Sequence, residues 1–262
     1  MLAQRVASAA AGIPIIVLLV WAGGPWYTAA VCLIVLIAAE EYQAPRRARG
    51  APLSLLVAGL AAALPAGAFV GFDWVLWFML GGVLIPLVWV TLRGDPQSAL
   101  ADFEPSVTGI AYVGLLGAHL VLVRELQDGR DWAYLAVLST FAADTSAYFV
   151  GRAIGSRKLA PHISPGKTVE GTIGGIAGGF AAVLLCNYFL GLRLETPLIV
   201  PLALLVPLFA VVGDLAESIV KRGLHVKDAS HLVPGHGGFL DRLDSILFVF
   251  PVVYYFVTWV VP

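Results

Sequence analysis

The run P-L-I-V-P-L-A-L-L-V-P-L-F-A-V-V-G-D-L-A-E, residues 197-217, sets the character of the whole chain. A helix needs roughly 20 residues to cross the hydrocarbon of a bilayer, and this run has that length. Its prolines, Pro201 and Pro207, like Pro14, Pro65 and Pro86 elsewhere, are ordinary in membrane helices, where neighbouring groups satisfy a freed carbonyl. The run ends on two acids, Asp214 and Glu217, and leads into the most polar part of the protein. Between Gly213 and Asp244 lie five of the 17 acids, four of the 16 bases and three of the five histidines. A membrane-crossing run that opens into a concentrated polar stretch predicts a transmembrane scaffold with its chemistry at one face.

Composition supports that reading over the full length. The chain is 59% hydrophobic and 13% charged, with a mean hydropathy of +0.88, whereas a soluble domain is usually about 25% charged. An all-α, polytopic integral membrane protein is expected. The net charge of -1 argues against a nucleic-acid partner, whose binding surface would be strongly basic. Cys32 and Cys186 both lie inside apolar runs, where small buried hydrophobes are the simpler reading.

Outward from 197-217, further apolar runs fall at about 6-23, 26-39, 52-71, 74-92, 106-123, 132-150, 171-191 and 245-261, so nine crossings are expected. The first is read as a retained helix and not a cleaved signal, because the run is long and no cleavage site precedes a soluble domain. Nine alternating crossings put 13 of the lysines and arginines on one side and leave only Arg124, Arg130 and Arg193 on the other. Basic loops stay cytoplasmic, so the N-terminus and the polar loops are expected inside. The organisation expected is a first region of about five helices over 1-130, then a catalytic region over 131-262 with cytoplasmic loops at 152-170 and 218-244.

Topology explains most of the bases but not the carboxylates at helix depth. Asp144 lies near the middle of an apolar run, where an ionisable group costs several kcal/mol unless it is paired or hydrated. Asp214 and Glu217 share a helix face, with Ser218 one turn beyond Asp214. Asp241 and Asp244 repeat that spacing where the last helix begins, and helix capping is the plain alternative for them. Capping fails for Asp214, which sits near a helix C-terminus. Several carboxylates at one face call for a divalent cation, and hard oxygen ligands suit magnesium, which fills its remaining positions with water and phosphate. His225, His231 and His236, with no cysteine beside them, do not have zinc-motif spacing.

Lys221, Arg222, Lys227 and Arg242 are interleaved with these acids, as a site holding both a cation and polyphosphate oxygens requires. A second polar patch, residues 152-171, contains Gly166, Lys167 and Thr168. A P-loop is excluded, because Pro161 stands where that motif needs glycine. Ser164, Lys167 and Thr168 can still bind phosphate by charge-assisted hydrogen bonds, while Glu170 fits the first turn of a helix. Gly171, Gly175 and Gly179, with Gly174 and Gly178, form a close-packing helix face. Gly235, Gly237 and Gly238 around His236 allow a tight turn or a close backbone approach to a ligand.

The stretch S-I-V-K-R-G-L-H-V-K-D-A-S-H-L-V-P-G-H-G-G-F-L-D-R-L-D, from Ser218 to Asp244, closely resembles the signature of the phosphatidate cytidylyltransferases, or CDP-diacylglycerol synthases. Val233 stands where that family more often has another aliphatic residue. D-T-S-A-Y-F-V-G-R from Asp144 and I-S-P-G-K-T-V-E-G from Ile163 look like family segments in the right order; the first 130 residues match only as apolar helices.

The resemblance implies a magnesium-dependent enzyme of the inner (plasma) membrane that joins CTP to phosphatidic acid, giving CDP-diacylglycerol and pyrophosphate. A phosphate monoester is already anionic near neutral pH, so it attacks the α-phosphorus without a strong general base. The difficulty is bringing two polyanions together, which cations ease. On this reading Asp214 and Asp241 hold the metal, with Glu217 and Asp244 beside them, and Asp144 completes the polar site. Lys167, Lys221, Arg222, Lys227 and Arg242 bind phosphate together with Ser164, Thr168, Gly237 and Gly238. His236 contacts nucleotide or pyrophosphate, Asp228 joins the catalytic group, and Ser218 is a hydrogen-bonding neighbour of Asp214. A second, monovalent cation and assembly as a homodimer are left open. The rivals are an ion-coupled transporter, which would place its carboxylates near the bilayer midplane at a repeat junction, and an enzyme activating a different lipid phosphate. His119 reads as a hydrogen-bonded packing histidine.

Overall fold

The computed structural model describes residues 2-47, 53-224, 226, 230 and 238-261. His225, Lys227, Asp228, His231, His236 and Gly237, all drawn on in the sequence reading, lie outside the described residues. Among the described residues the chain runs as helical rods with one small hairpin. Helices α1 (Leu2–Ala22), α2 (Gly24–Arg47), α3 (Ser54–Val70), α4 (Phe72–Arg93) and α5 (Pro96–Arg124) come first. Helix α6 (Gly129–Ile154), strands β1 (Lys158–Ala160) and β2 (Ser164–Thr168), and helices α7 (Val169–Phe189), α8 (Thr196–Gly223) and α9 (Leu240–Val260) follow. Every apolar run expected from the sequence falls on one of these rods. Six of the rods, α2, α4, α5, α7, α8 and α9, are both long and apolar enough to cross a membrane. Helix α6 has the length at 26 residues, but carries Asp144 and several hydroxyls in its middle.

The chain forms two compact units. The first is Met1–Glu125 with Asp228–Asp241, and the second is Leu126–Lys227 with Arg242–Pro262.

In the first unit the α1–α2 turn is made by Gly23 and Gly24, both left-handed at φ +63 and +52. A side chain at Gly23 would strike the guanidinium of Arg124, whose Nε donates to the carbonyl of Val20 at 2.8 Å. One of the three bases expected opposite the polar loops thus satisfies an open carbonyl at the end of α1. The α5 rod begins at Pro96, well before the 106 expected, because its first turns are amphipathic and not apolar. Asp95 caps it, accepting from the amide of Gln97 at 3.1 Å, with Pro96 in the first turn. A π-helical turn interrupts α5 at Ile110–Leu115. There Gly114 lies so close to α3 that an added Cβ would be 2.7 Å from Ala61 Cα. His119, one turn further on, is buried, and its Nδ1 lies 2.8 Å from the carbonyl of Leu115.

In the second unit α6 and α7 pack backbone to backbone along the glycine face expected from the sequence. A Cβ on Gly171 would be 3.0 Å from Gly151 Cα, and one on Gly175 would be 2.9 Å from Ala147 Cβ. At Gly179 the nearest atom is Cβ of Pro207, at 2.6 Å, so α8 closes on the same seam. The segment expected as a plain loop contains the antiparallel β1–β2 hairpin, with Lys158 opposite Thr168 and Ala160 opposite Ser164. This is a small addition to an otherwise all-helical fold. Helix α8 runs to Gly223, past the 217 at which its apolar run ends, so Ser218, Lys221 and Arg222 sit on a helix and not in the 218-244 loop.

Candidate active site

The hairpin and the last turns of α8 carry the densest set of charges in the second unit. Lys167 on β2 forms an ion pair with Oδ2 of Asp214 on α8. Asp144 on α6 lies within electrostatic reach of Asp214, Lys167 and Arg242. Asp244 on α9 is within reach of Asp214, Asp144 and Arg242. Three acids and two bases from three helices and a strand therefore form one interacting group. Asp144 is exposed on α6.

Local packing explains why these groups meet. Gly213 precedes Asp214 and lets α9 come against α8: a Cβ there would lie 2.5 Å from the carbonyl oxygen of Asp244 and 3.1 Å from Ser245 Cα. One turn on, Glu217 is 1% exposed and pairs with Lys221 at 2.5 Å. A carboxylate so buried demands a partner, and the i, i+4 lysine supplies it. Ser218 beside it is also buried. Arg222 donates from Nε to the carbonyl of Ile163 at 3.3 Å, tying the end of α8 to the hairpin turn. Glu170 accepts from the amides of Ser156 and Arg157 at 3.0 and 3.2 Å, so the acid expected in a first helical turn also holds the entry to β1. Thr168 caps α7, its Oγ1 accepting from the amide of Gly171 at 3.1 Å. The cap uses the hydroxyl as an acceptor and leaves its O–H able to donate. Ser164 opens β2 opposite Ala160.

Asp241 belongs to the first unit and accepts from the amide of Gly238 at 2.8 Å. The same stretch is held by a residue that sequence reasoning missed. Glu41, on α2, is 5% exposed. It accepts from Ser230 Oγ at 2.5 Å and from the amides of Phe239 and Leu240 at 3.1 and 2.8 Å. The apolar run expected from the sequence ends at 39, whereas α2 continues to Arg47 and carries Glu40 and Glu41; two adjacent acids at the end of a membrane run are the available signal.

The cytidylyltransferase family model matches residues 3–260. The chain belongs to the cytidylyltransferase family. It is accordingly a nucleotidyltransferase. A phosphatidate cytidylyltransferase of Synechocystis is 34% identical over 297 aligned positions, which cover 99% of this chain and 97% of that relative. The phosphatidate cytidylyltransferase of Bacillus subtilis is 44% identical over 147 positions, 55% of this chain and 54% of the relative. That of Staphylococcus haemolyticus is 36% identical over 163 positions, 62% of each.

For a cytidylyltransferase the donor set is the right kind for a hard cation: the acids offer only oxygen, and magnesium needs just one or two protein carboxylates beside water and phosphate. Among the described residues no group of three or more His, Cys, Asp or Glu side chains is drawn together as a ready-made metal cage. Lys167 places its positive charge against Asp214.

Proposed function

We propose that this chain transfers CMP from CTP to phosphatidic acid, giving CDP-diacylglycerol and pyrophosphate. A phosphate oxygen of the lipid forms the new bond to the α-phosphorus of CTP, and the bond from that phosphorus to the β-phosphate bridge oxygen breaks. The observation that carries this reading is the group formed by Asp144, Asp214, Asp244, Lys167 and Arg242 in a membrane chain of this family. The full-length similarity to a phosphatidate cytidylyltransferase supports the choice of lipid.

Bound magnesium would screen the phosphates and stabilise charge on the departing pyrophosphate. Asp214 and Asp241 are the residues proposed to hold it, with Glu217 and Asp244 beside them. Lys167, Lys221, Arg222 and Arg242 bind and orient phosphate oxygens. Asp144 completes the polar site through its interaction with Lys167 and Arg242. No covalent nucleophile is required, because the lipid phosphate is itself the attacking group. The N-terminus and the polar loops are proposed to face the cytoplasm, so that CTP arrives from water while the acyl chains stay in the bilayer.

The purified protein in detergent, given labelled CTP, phosphatidic acid and magnesium, is expected to move label into the lipid phase. Absence of labelled lipid while a reference cytidylyltransferase works alongside would reject the proposal and favour transport. Label moving only to a different lipid phosphate would reject the choice of acceptor.

A further inference from the structure

We propose that Glu41 is a positioning residue, and that its carboxylate sets the metal-holding geometry of Asp241 from a different helix. This rests on the proposed role of Asp241. Glu41 lies near the end of α2 and far from the signature in sequence, yet it holds three donors from that stretch: Ser230 Oγ and the amides of Phe239 and Leu240. The two amides open α9, and the first amides of a helix have no partner within it. Glu41 therefore caps α9 in trans, with a negative charge at the positive end of the helix dipole.

The fit leaves no slack. A Cβ on Gly238 would come within 2.5 Å of Oε2 and 2.8 Å of Cδ of Glu41. Glycine at 238 is thus explained by the approach of Glu41, a neighbour within the protein, and not only by the approach of a ligand. Gly238 in turn donates its amide to Oδ2 of Asp241 at 2.8 Å. The chain of contacts runs from Glu41 through the backbone of 238-240 to the carboxylate of Asp241, with Ser230 pinned to the same acid. An acid only 5% exposed carries a desolvation cost unless it is paired or hydrogen-bonded. Its three donors offset that cost, and the geometry they impose falls on the residue next to a proposed metal ligand.

The test uses the full-length protein in detergent, with Mn2+ as the probe in place of magnesium. Bound Mn2+ is measured by electron paramagnetic resonance without substrates, and amide hydrogen exchange is followed over 238-241. Glu41→Gln keeps the shape but loses an acceptor; faster exchange at Phe239 and Leu240 and Mn2+ binding weakened about tenfold are expected, with Glu41→Asp restoring part of the affinity. Glu40→Gln, which alters an acid paired with Arg47, should match wild type in both readouts. Faster exchange with unchanged Mn2+ binding would overturn the inference, leaving Glu41 as a plain helix cap. Unchanged exchange would overturn its structural premise. Should Glu41→Gln fail to assemble, Ser230→Ala tests the same link: Mn2+ affinity lowered two- to threefold supports it, and identity with wild type overturns it. A wild-type protein that binds no Mn2+ would sink the metal reading itself, and this inference with it.

Discussion

Lys167 on the β2 strand is paired with Asp214 at the far end of α8, so the hairpin and the helix are clamped at the carboxylate proposed to meet the metal. The pair brings the ammonium of the hairpin directly against a carboxylate of the helix. Phosphate binding by Lys167, as proposed, requires this ammonium to serve an anion as well as Asp214.

Lys167→Met is therefore expected to lower kcat/KM for CTP by about 100-fold, the scale set by losing one charged donor in an active site. Lys167→Arg should retain more, because the charge remains. Steady-state kinetics on both variants decide it. Equal rates for wild type and Lys167→Met would remove Lys167 from the site.

Asp214→Asn and Asp241→Asn should each abolish turnover while the protein still inserts and elutes as a single species in detergent. Each swap is nearly isosteric and removes only the charge. Full activity in either variant takes that residue out of the metal site.

Chelation gives a third check. EDTA should stop label transfer to lipid, and added magnesium should restore it, because a divalent ion is proposed to screen the two polyanions. Activity that survives exhaustive chelation would contradict the proposed cofactor.

Thr168 separates capping from substrate binding. Its hydroxyl accepts from the amide of Gly171, and loss of such a cap costs about 1 kcal/mol. Thr168→Val should lower the thermal midpoint in detergent, and Thr168→Ser should leave it near wild type. A stable Thr168→Val protein with a raised KM for CTP would instead assign the hydroxyl to substrate.

Gly175→Val tests the α6–α7 seam. The new side chain meets Ala147 Cβ and the Ala143 carbonyl at 2.9 and 3.0 Å before its branches are counted. Overpacking of this kind typically costs about 1–3 kcal/mol, so a lower melting midpoint is expected. Gly166→Ala, at a position with nothing within 4 Å, serves as the silent control.

The helices were legible because hydrocarbon imposes one rule on every crossing: a long apolar run. That rule located each rod but not its ends. Helix α8 continues through Lys221 and Arg222 because backbone bonding persists after apolarity stops, and α5 starts at Pro96 because an amphipathic turn is invisible to an apolar-run criterion. The glycine face was legible for the same reason as the helices, since its spacing is local. Contacts between distant residues were not. Asp144 stands out in the sequence as a costly charge and Asp214 as an acid that capping does not explain, whereas Asp244 reads equally as a helix cap; that the three lie within reach of one another in the second unit is not written in their local sequence. Glu41 was overlooked because its partners lie nearly two hundred residues away, and nothing in its own neighbourhood names them. The hairpin was overlooked because three- and five-residue strands leave too little pattern to read.

The seam between α6 and α7 has a mechanical corollary. Backbones that touch through glycine and alanine leave no gap for an acyl tail and no play for one rod to slip along the other. These two helices act as a single strut, and whatever breathing turnover demands must come from the rods around it.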